Sequence, residues 1–250
     1  MANLSSDSYE AFGTPDATSR IAHFLDWLAA HRRLGTPVRV LDVGCGPGRM
    51  FAAFRGLGWE VASLEPDPDF HEAAVRAAAG AGHSPPLRAG FLEIEAVAEF
   101  DAVTAINDPF SHMLTGRDRS HALQRAFRAL RPGGLLLIDV PNFLWILRNY
   151  RTPEPMRAVA DGAEVHLRRE HLLDFHAAVF TTIEHYDLVR DSESHPSSKA
   201  HAYAMTTFPE LAFHLEQTGF RAVETYRSWE ARGAERLDGP RLIVSAVRPR

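Results

Sequence analysis

The chain has very little of two residue types that often mark a function. Only one of its 250 residues is a cysteine, Cys45, so no disulfide can form within the chain. Only one is a lysine, Lys199; the other basic residues are arginines, and the formal net charge is −5. Nucleic-acid binding needs clustered positive charge to neutralise phosphates. The composition therefore predicts no nucleic-acid partner.

Long apolar runs are also missing. No run approaches the roughly 18 residues needed to span a bilayer. The first ten residues, MANLSSDSYE, lack the basic and apolar parts of a signal peptide. We therefore expect a cytoplasmic protein without a membrane partner. At 45% hydrophobic residues, the chain has the composition of one large globular domain, or of one domain with an insertion.

Apolar runs alternate with helical patterns over the first 140 residues. The runs are VRVLDVG, WEVASLE, PLRAGFLEIEA, FDAVTAI and LLLIDV. Strands that alternate with helices form a parallel sheet with both faces covered, so the pattern predicts an α/β fold. Thr14 with Pro15 and Asp67 with Pro68 predict two helix starts. Thr207 and Glu210 have the spacing of a capping box at the last helix.

After Val140, apolar and polar residues alternate with a period of two. The segments EVHLRREHLLDF, AVFTTIEHYDLVR and KAHAYAMTTF predict three antiparallel strands, with the turn-rich DSESHPSS as a loop. We predict a mobile segment or lid over residues 1–13 and a main domain over residues 14–140 and 206–250. Residues 141–205 would form an inserted cap over the substrate.

The stretch VLDVGCGPGRM predicts a strand, a glycine-rich turn and the start of a helix. Its glycines allow a ligand to lie against bare backbone at a helix N-terminus. Glu65 ends the next strand and can accept hydrogen bonds from both hydroxyls of a ribose. A dinucleotide fingerprint would have its third glycine at the position of Arg49. The turn therefore favours a nucleoside with an amino-acid tail, and a nicotinamide-dependent oxidoreductase is the alternative.

Four segments together resemble the class I S-adenosylmethionine-dependent methyltransferases: LDVGCGPG, the strand ending in Glu65, LRPGGLLLIDV, and EQTGFRAVETY with RLIVSAVRP. The resemblance implies a Rossmann-like, doubly wound, seven-stranded sheet with a reversed last strand. The antiparallel β cap would be inserted after strand 5. It also implies S-adenosylmethionine as cofactor and methyl transfer to an oxygen or nitrogen of a small molecule. By analogy of fold we expect a role in secondary metabolism.

The resemblance also implies roles for individual residues. The glycines would pass under the methionine part of the cofactor, and Glu65 would hold the ribose. The family often has an Asp near the adenine, where this chain has Phe91, so that Phe91 or Leu92 would pack on the ring instead. The predicted cofactor-binding residues are Gly44, Cys45, Gly46, Gly48, Glu65, Pro66, Phe91, Leu92 and Asn107.

The loop AINDPFSHML supplies the catalytic candidates, His112 and Asp108. An imidazole titrates near neutral pH and can take a proton from a hydroxyl or an ammonium group; alternatively, His112 only orders the loop. The NDPF segment weakly resembles an amine-methylating motif that has Pro in place of Asp108. The predicted substrate contacts are Tyr9, Phe110, His171 and Tyr203.

No metal is predicted, because the spacing of His171, Asp174 and His176 is too loose to specify a site. The expected partner is a small-molecule methyl acceptor, with a monomer or a homodimer both open. A non-catalytic protein that binds the cofactor as a scaffold is a further alternative.

Overall fold

The computed structural model describes residues 17–160, 162–190, 193–233 and 236–250. The strands of its central sheet are β1 (Arg39–Val43), β2 (Glu60–Leu64), β3 (Phe100–Ala105), β4 (Leu130–Pro141), β9 (Arg221–Tyr226) and β10 (Arg241–Val247). Their order in the sheet is β2-β1-β3-β4-β10-β9. Neighbouring strands among β1 to β4 are parallel, whereas β10 is antiparallel to β4 and β9. The predicted doubly wound sheet with a reversed last strand is therefore confirmed.

The described part of this sheet has six strands where the sequence predicts seven. The segment PLRAGFLEIEA forms only a single parallel bridge between Leu87 and Leu64, followed by a 3₁₀ turn at Phe91–Glu93. Leu87 donates to the Ser63 carbonyl at 2.9 Å and accepts from Glu65 at 3.0 Å. Two prolines, Pro85 and Pro86, precede it. Because proline has no N–H to donate, this edge cannot lengthen towards them.

Helices cover both faces of the sheet. Asp67 caps its helix as predicted, because its side chain accepts from the backbone of Asp69 and Phe70. The capping box is wrong: Thr207 precedes the last helix, but its side chain makes no capping hydrogen bond, and Glu210 instead pairs with Arg119 at 2.7 Å. The helices are α1 (Thr18–His31), α2 (Phe51–Gly56), α3 (Pro68–Ala81), α4 (Gly116–Ala129), α5 (Phe143–Arg148) and α6 (Phe208–Thr218).

Two clusters of buried side chains lie on opposite faces of the sheet. Leu41 and Val43 belong to the cluster under α4 and α6, and Val40 to the cluster under α1. Successive residues of β1 therefore enter different cores, which explains why the strand is apolar almost throughout. The predicted cap at Thr14 and the segment 1–13 lie outside the described residues.

The cap is a separate antiparallel sheet, as predicted, but it has four strands: β5 (Met156–Ala160), β6 (Ala163–Asp174), β7 (Val179–Arg190) and β8 (Glu193–Ala204). They lie in the order β5-β6-β7-β8. The predicted DSESHPSS loop is wrong from Glu193 onwards, because these residues begin β8. Pro196 is tolerated there since β8 is an edge strand. The helix α5, between β4 and the cap, was not predicted.

One face of the cap contacts the main domain. The ring of Tyr203 lies 5.0 Å from that of His112, and the ring of Phe180 lies 5.3 Å from that of Phe143. Tyr203 and Phe180 are paired across β8 and β7, so they share this face, which we call the inner face. No helix within the described ranges is long and apolar enough to cross a membrane.

Candidate active site

The glycine turn has three residues in left-handed backbone conformations. Gly44, Gly46 and Gly48 have φ values of 70°, 57° and 86°. A Cβ on Gly44 would lie 2.5 Å from Cβ of Pro109, so only glycine lets the loop after β3 approach. A Cβ on Gly46 would meet nothing within 4 Å. The turn is therefore closed at Gly44 and leaves open space beside Gly46.

Glu65 is buried and joins the turn to the end of β2. Its Oε2 accepts from the Gly46 N–H at 2.8 Å, and its Oε1 accepts from the Asp67 N–H at 2.9 Å. Burial raises the pKa of Glu65, and these two hydrogen bonds oppose the rise. Each carboxylate oxygen has two lone pairs, so each keeps one for a ligand. The ribose contact predicted for Glu65 stays a prediction.

A cavity of about 820 Å³ opens beside the turn. Its walls are the turn, the start of α1, the loop after β3, and the segments 227–230 and 240–241. Its volume falls in the range of small-molecule sites. Of the predicted cofactor-binding residues, four line this cavity: Gly44, Cys45, Gly46 and Asn107.

Acidic side chains lie under the turn. Asp42 lines the cavity and accepts from the Thr104 hydroxyl at 2.8 Å; burial raises its pKa to about 7, and nearby Glu65 adds to the rise. Burial and these two acids also raise the pKa of the Cys45 thiol, so Cys45 is no thiolate nucleophile at neutral pH. The cavity lining carries both signs of charge, since Arg20, Arg49, Arg227 and Arg241 lie in it beside Asp42, Asp139 and Glu230.

The predicted adenine contacts lie away from this cavity. Phe91 is buried in the core with its ring 5.7 Å from that of Phe110, edge to face. Leu92 is half-buried and Pro66 is exposed. Phe110, predicted to contact the substrate, is itself fully buried and has no surface towards an acceptor in this structure. Its packing under the loop explains the apolar residue at that position.

Two consecutive non-glycine residues of the loop after β3 are left-handed. Asn107 and Asp108 have φ values of 69° and 78°, a conformation that costs roughly 1–2 kcal/mol per residue. Asp139 holds both: its Oδ2 accepts from the Asn107 N–H at 3.0 Å, and its carbonyl accepts from the Asp108 N–H at 3.1 Å. Sequence reasoning missed Asp139, although a lone acid in the apolar run LLLIDV was a usable signal.

Arg241 completes this arrangement and was also missed, since nothing near it in sequence points to the site. Its guanidinium bonds Asp139 at 2.8 Å and also bonds Asp108. Burial raises the pKa of Asp139 to about 6, with Arg241 opposing the rise. The carboxylate of Asp108 is engaged by this contact with Arg241. Its general-base role stays a prediction.

His112 lies at the boundary between the loop and the cap. Its Nδ1 is 3.1 Å from the carbonyl oxygen of Ala202, so an Nδ1–H donates there and leaves the Nε2 lone pair available. His171 lies on the inner face, where its ring is 4.8 Å from that of Phe180 and burial lowers its pKa. The structure therefore brings His112, His171 and Tyr203 to one interface; Tyr9 lies outside the described residues.

The arrangement fits S-adenosylmethionine. The open space beside Gly46 admits a ligand, Asp42 lines the cavity as an acid that can complement a sulfonium charge, and the cavity volume is that of a small-molecule site. The cavity lies at the carboxyl ends of the parallel strands, where doubly wound folds bind nucleoside cofactors. Fold and site together therefore define a class of protein that binds such a cofactor at the turn after its first strand.

Residues 40–134 match the family model described as a methyltransferase domain. A glycine/sarcosine N-methyltransferase from Parasynechococcus marenigrum is 30% identical over 154 residues, which are 55% of this chain and 53% of that protein. The chain thus spans about half the length of this curated relative.

Two solved structures share the fold. An S-adenosylmethionine-dependent methyltransferase from Clostridium acetobutylicum matches with a TM-score of 0.80 and 11% identity, over 97% of this chain and 96% of that one. The sugar N-methyltransferase KedS8 from a Streptoalloteichus species matches with a TM-score of 0.77 and 18% identity, over 100% of this chain and 94% of that one. The resemblance in the sequence is confirmed: the chain has the fold and the methyltransferase domain of the class I S-adenosylmethionine-dependent methyltransferases, whose cofactor is S-adenosylmethionine.

Proposed function

We propose that the chain transfers a methyl group from S-adenosylmethionine to a nitrogen atom of a small polar molecule. The observation that carries the proposal is the cavity that is lined by the glycine turn, by the buried acids Asp42 and Asp139 and by Asn107. The named activities of the glycine/sarcosine and sugar N-methyltransferases support nitrogen over oxygen as the acceptor. A role in secondary metabolism remains part of this proposal.

The cofactor would lie along the glycine turn, with Glu65 at its ribose and Asp42 and Glu65 as the nearest negative charges. When bound, S-adenosylmethionine supplies a methyl group on a cationic sulfur that a nucleophile displaces in line. The chain must align the acceptor and exclude water. Asn107, the first residue of the loop at 107–112, lines this cavity, and Asp139 and Arg241 hold the loop through Asn107 and Asp108.

His112 belongs to the acceptor side of the site. Its Nδ1 is engaged by Ala202, so Nε2 is the nitrogen that can contact the acceptor and help to remove its proton. The inner face of the cap, with Tyr203 and His171, closes over the same region. The expected partner is therefore a small molecule that fits between loop and cap; cytoplasmic location and oligomeric state stay predictions.

Calorimetric titration with S-adenosylmethionine, S-adenosylhomocysteine and NADH tests the cofactor. We expect micromolar binding of the first two and none of NADH. Binding of NADH alone would instead support the oxidoreductase alternative.

A mass-detected screen of amines and alcohols with labelled S-adenosylmethionine tests the reaction. Methylation of amines supports the proposal, and methylation of alcohols alone contradicts its choice of nitrogen. Cofactor binding without turnover on any acceptor would favour the scaffold alternative. We expect His112→Ala to lower turnover far more than cofactor affinity.

A further inference from the structure

Strand β8 of the cap crosses the carboxyl edge of the central sheet. At one end, Nζ of Lys199 lies 3.2 Å from Asp67, just after β2. At the other, the ring of Tyr203 lies 5.0 Å from that of His112, in the loop after β3. The step from Lys199 to Tyr203 covers about 13 Å along β8, and the two strand spacings from β2 to β3 cover about 10 Å, so this part of β8 is long enough to reach from one to the other. Because β1 lies between β2 and β3, β8 passes over the end of β1, where the glycine turn begins.

His201 lies midway between these two anchors. Alternate residues of a strand share a face, so His201 is on the inner face between Lys199 and Tyr203. Its Nε2 is buried and has no hydrogen-bond partner among the described residues. The nearest carboxylate is Glu184 of β7, whose Oε2 lies 3.7 Å from this nitrogen.

Glu184 is a buried acid with a fixed orientation. Its Oε1 accepts from Nε of Arg169 at 2.8 Å, and its Oε2 accepts from the Tyr186 hydroxyl at 2.7 Å. Oε2 keeps one lone pair, and an approach of about 0.8 Å would bring His201 Nε2–H to an ordinary hydrogen-bond distance. A carboxylate behind a histidine fixes its tautomer and stabilises the imidazolium. His112, by contrast, has only a backbone carbonyl behind it.

We propose that His201, positioned by Glu184, takes the acceptor's proton above the glycine turn while His112 holds the acceptor from the opposite side. This rests on the proposed function and moves the proton-accepting role from His112 to His201, so that His112 only binds the acceptor. The acceptor, bound as an ammonium, gives one proton to Nδ1 of His201, and the electron pair of the broken N–H bond stays on nitrogen as the lone pair that forms the new bond to carbon. The electron pair of the carbon–sulfur bond leaves with sulfur, and Glu184 balances the imidazolium charge.

The charged groups around His201 come from four elements. Burial has the largest effect and lowers the pKa of His201; Glu184 of β7 and Asp67 at the start of α3 oppose this, whereas Lys199 of β8 and His112 of the loop lower the pKa further. The lowered pKa favours the neutral ring, which can accept a proton.

Histidine-selective NMR tests the placement without turnover. His185, on the outer face of the same cap, provides the internal control. On adding S-adenosylhomocysteine we expect the ring signals of His201 to shift more than those of His185. In Glu184→Gln, which keeps the shape of Glu184 but removes its charge, we expect a lower His201 pKa than in the wild type. An unmoved His201 signal in a protein that binds S-adenosylhomocysteine overturns the proposal, and this measurement stands even where Glu184→Gln does not fold.

Kinetics with an acceptor found in the screen tests the proton transfer. We expect His201→Asn to lower kcat at least about 100-fold, to change cofactor affinity less than twofold, and to remove the acidic limb of the pH profile. His185→Gln should behave as the wild type. The assignment of the proton acceptor to His201 is overturned if His112→Ala loses the acidic limb of the pH profile while His201→Asn keeps it. Absence of turnover in the wild type would count against the proposed function alone, because the NMR result still decides where His201 points.

Discussion

The two halves of the candidate site are built from different chemical groups. In the main domain, backbone defines the site: three left-handed glycines and N–H groups held by Glu65. In the cap, side chains define it, with Glu184, His201 and Tyr203 on one face of an antiparallel sheet. A site formed by backbone groups therefore leaves a short motif in the sequence. A site formed by side chains is spread over strands that lie far apart in the chain.

Gly44→Ala should have the largest effect and tests whether the main-domain half depends on backbone. Its new Cβ would overlap Pro109 at φ 70°, so we expect the free energy of unfolding to fall by about 2–5 kcal/mol and cofactor binding to drop more than tenfold. Thermal melting and calorimetry measure both. Gly58→Ala is the matched control: its φ is 69° and its Cβ would meet nothing within 4 Å. Equal losses in both variants would mean that the contact with Pro109 is unimportant.

Glu65→Ala should come next. It removes the carboxylate that holds the N–H groups of Gly46 and Asp67, so we expect affinity for S-adenosylmethionine to fall roughly 10- to 100-fold. Calorimetry measures the change, and Glu60→Ala, at the exposed start of the same strand, serves as the control. Unchanged affinity in Glu65→Ala would remove Glu65 from the cofactor site.

The pH dependence of cofactor binding should show a smaller effect and probes the buried acids. The raised pKa of Asp42, about 7, means that its carboxylate gains charge as the pH rises through neutrality. A cationic ligand binds the charged form better, so affinity for S-adenosylmethionine should rise several-fold from pH 6 to pH 8. The sulfur of S-adenosylhomocysteine carries no charge, so its affinity should change less with pH. In Asp42→Asn the two ligands should show the same pH dependence. Parallel pH curves for the two ligands in the wild type would contradict this electrostatic role.

Lys199→Met should have the smallest effect and tests how firmly the cap is held. It removes the contact of Nζ with Asp67 and its position 5.0 Å from the Phe70 ring centre. Because Lys199 is partly exposed, we expect a loss of at most about 1 kcal/mol, seen as faster amide exchange in β8. Arg157→Met removes an ion pair within the cap and should leave this exchange unchanged. A large drop in melting temperature for Lys199→Met would contradict this small contribution and would show that the stability of the protein depends on the contact between the cap and the main domain.

Prediction from sequence succeeded where the pattern was local. The glycine turn, the Asp67 cap and the parallel strands follow from spacing and apolar runs, and the reversed last strand was implied by the family resemblance. It failed where neighbours in space decided the outcome. The segment around Leu87 lies at an open sheet edge and forms only a bridge, and Glu210 pairs with Arg119 instead of closing a capping box. Glu193 and its neighbours have turn-like composition, but pairing with β7 draws them into a strand.

The sequence by itself determined the fold class and the glycine turn, because short-range periodicity and the steric freedom of glycine act within a few residues. Only the tertiary structure decided which side chains meet. Asp108, Asp139 and Arg241 come from three distant parts of the chain and converge because β10 pairs with β4 beside the loop after β3. Glu184 and His201 meet because β7 and β8 pair in one particular register. Such contacts depend on the packing of whole strands, which no local pattern in the sequence specifies.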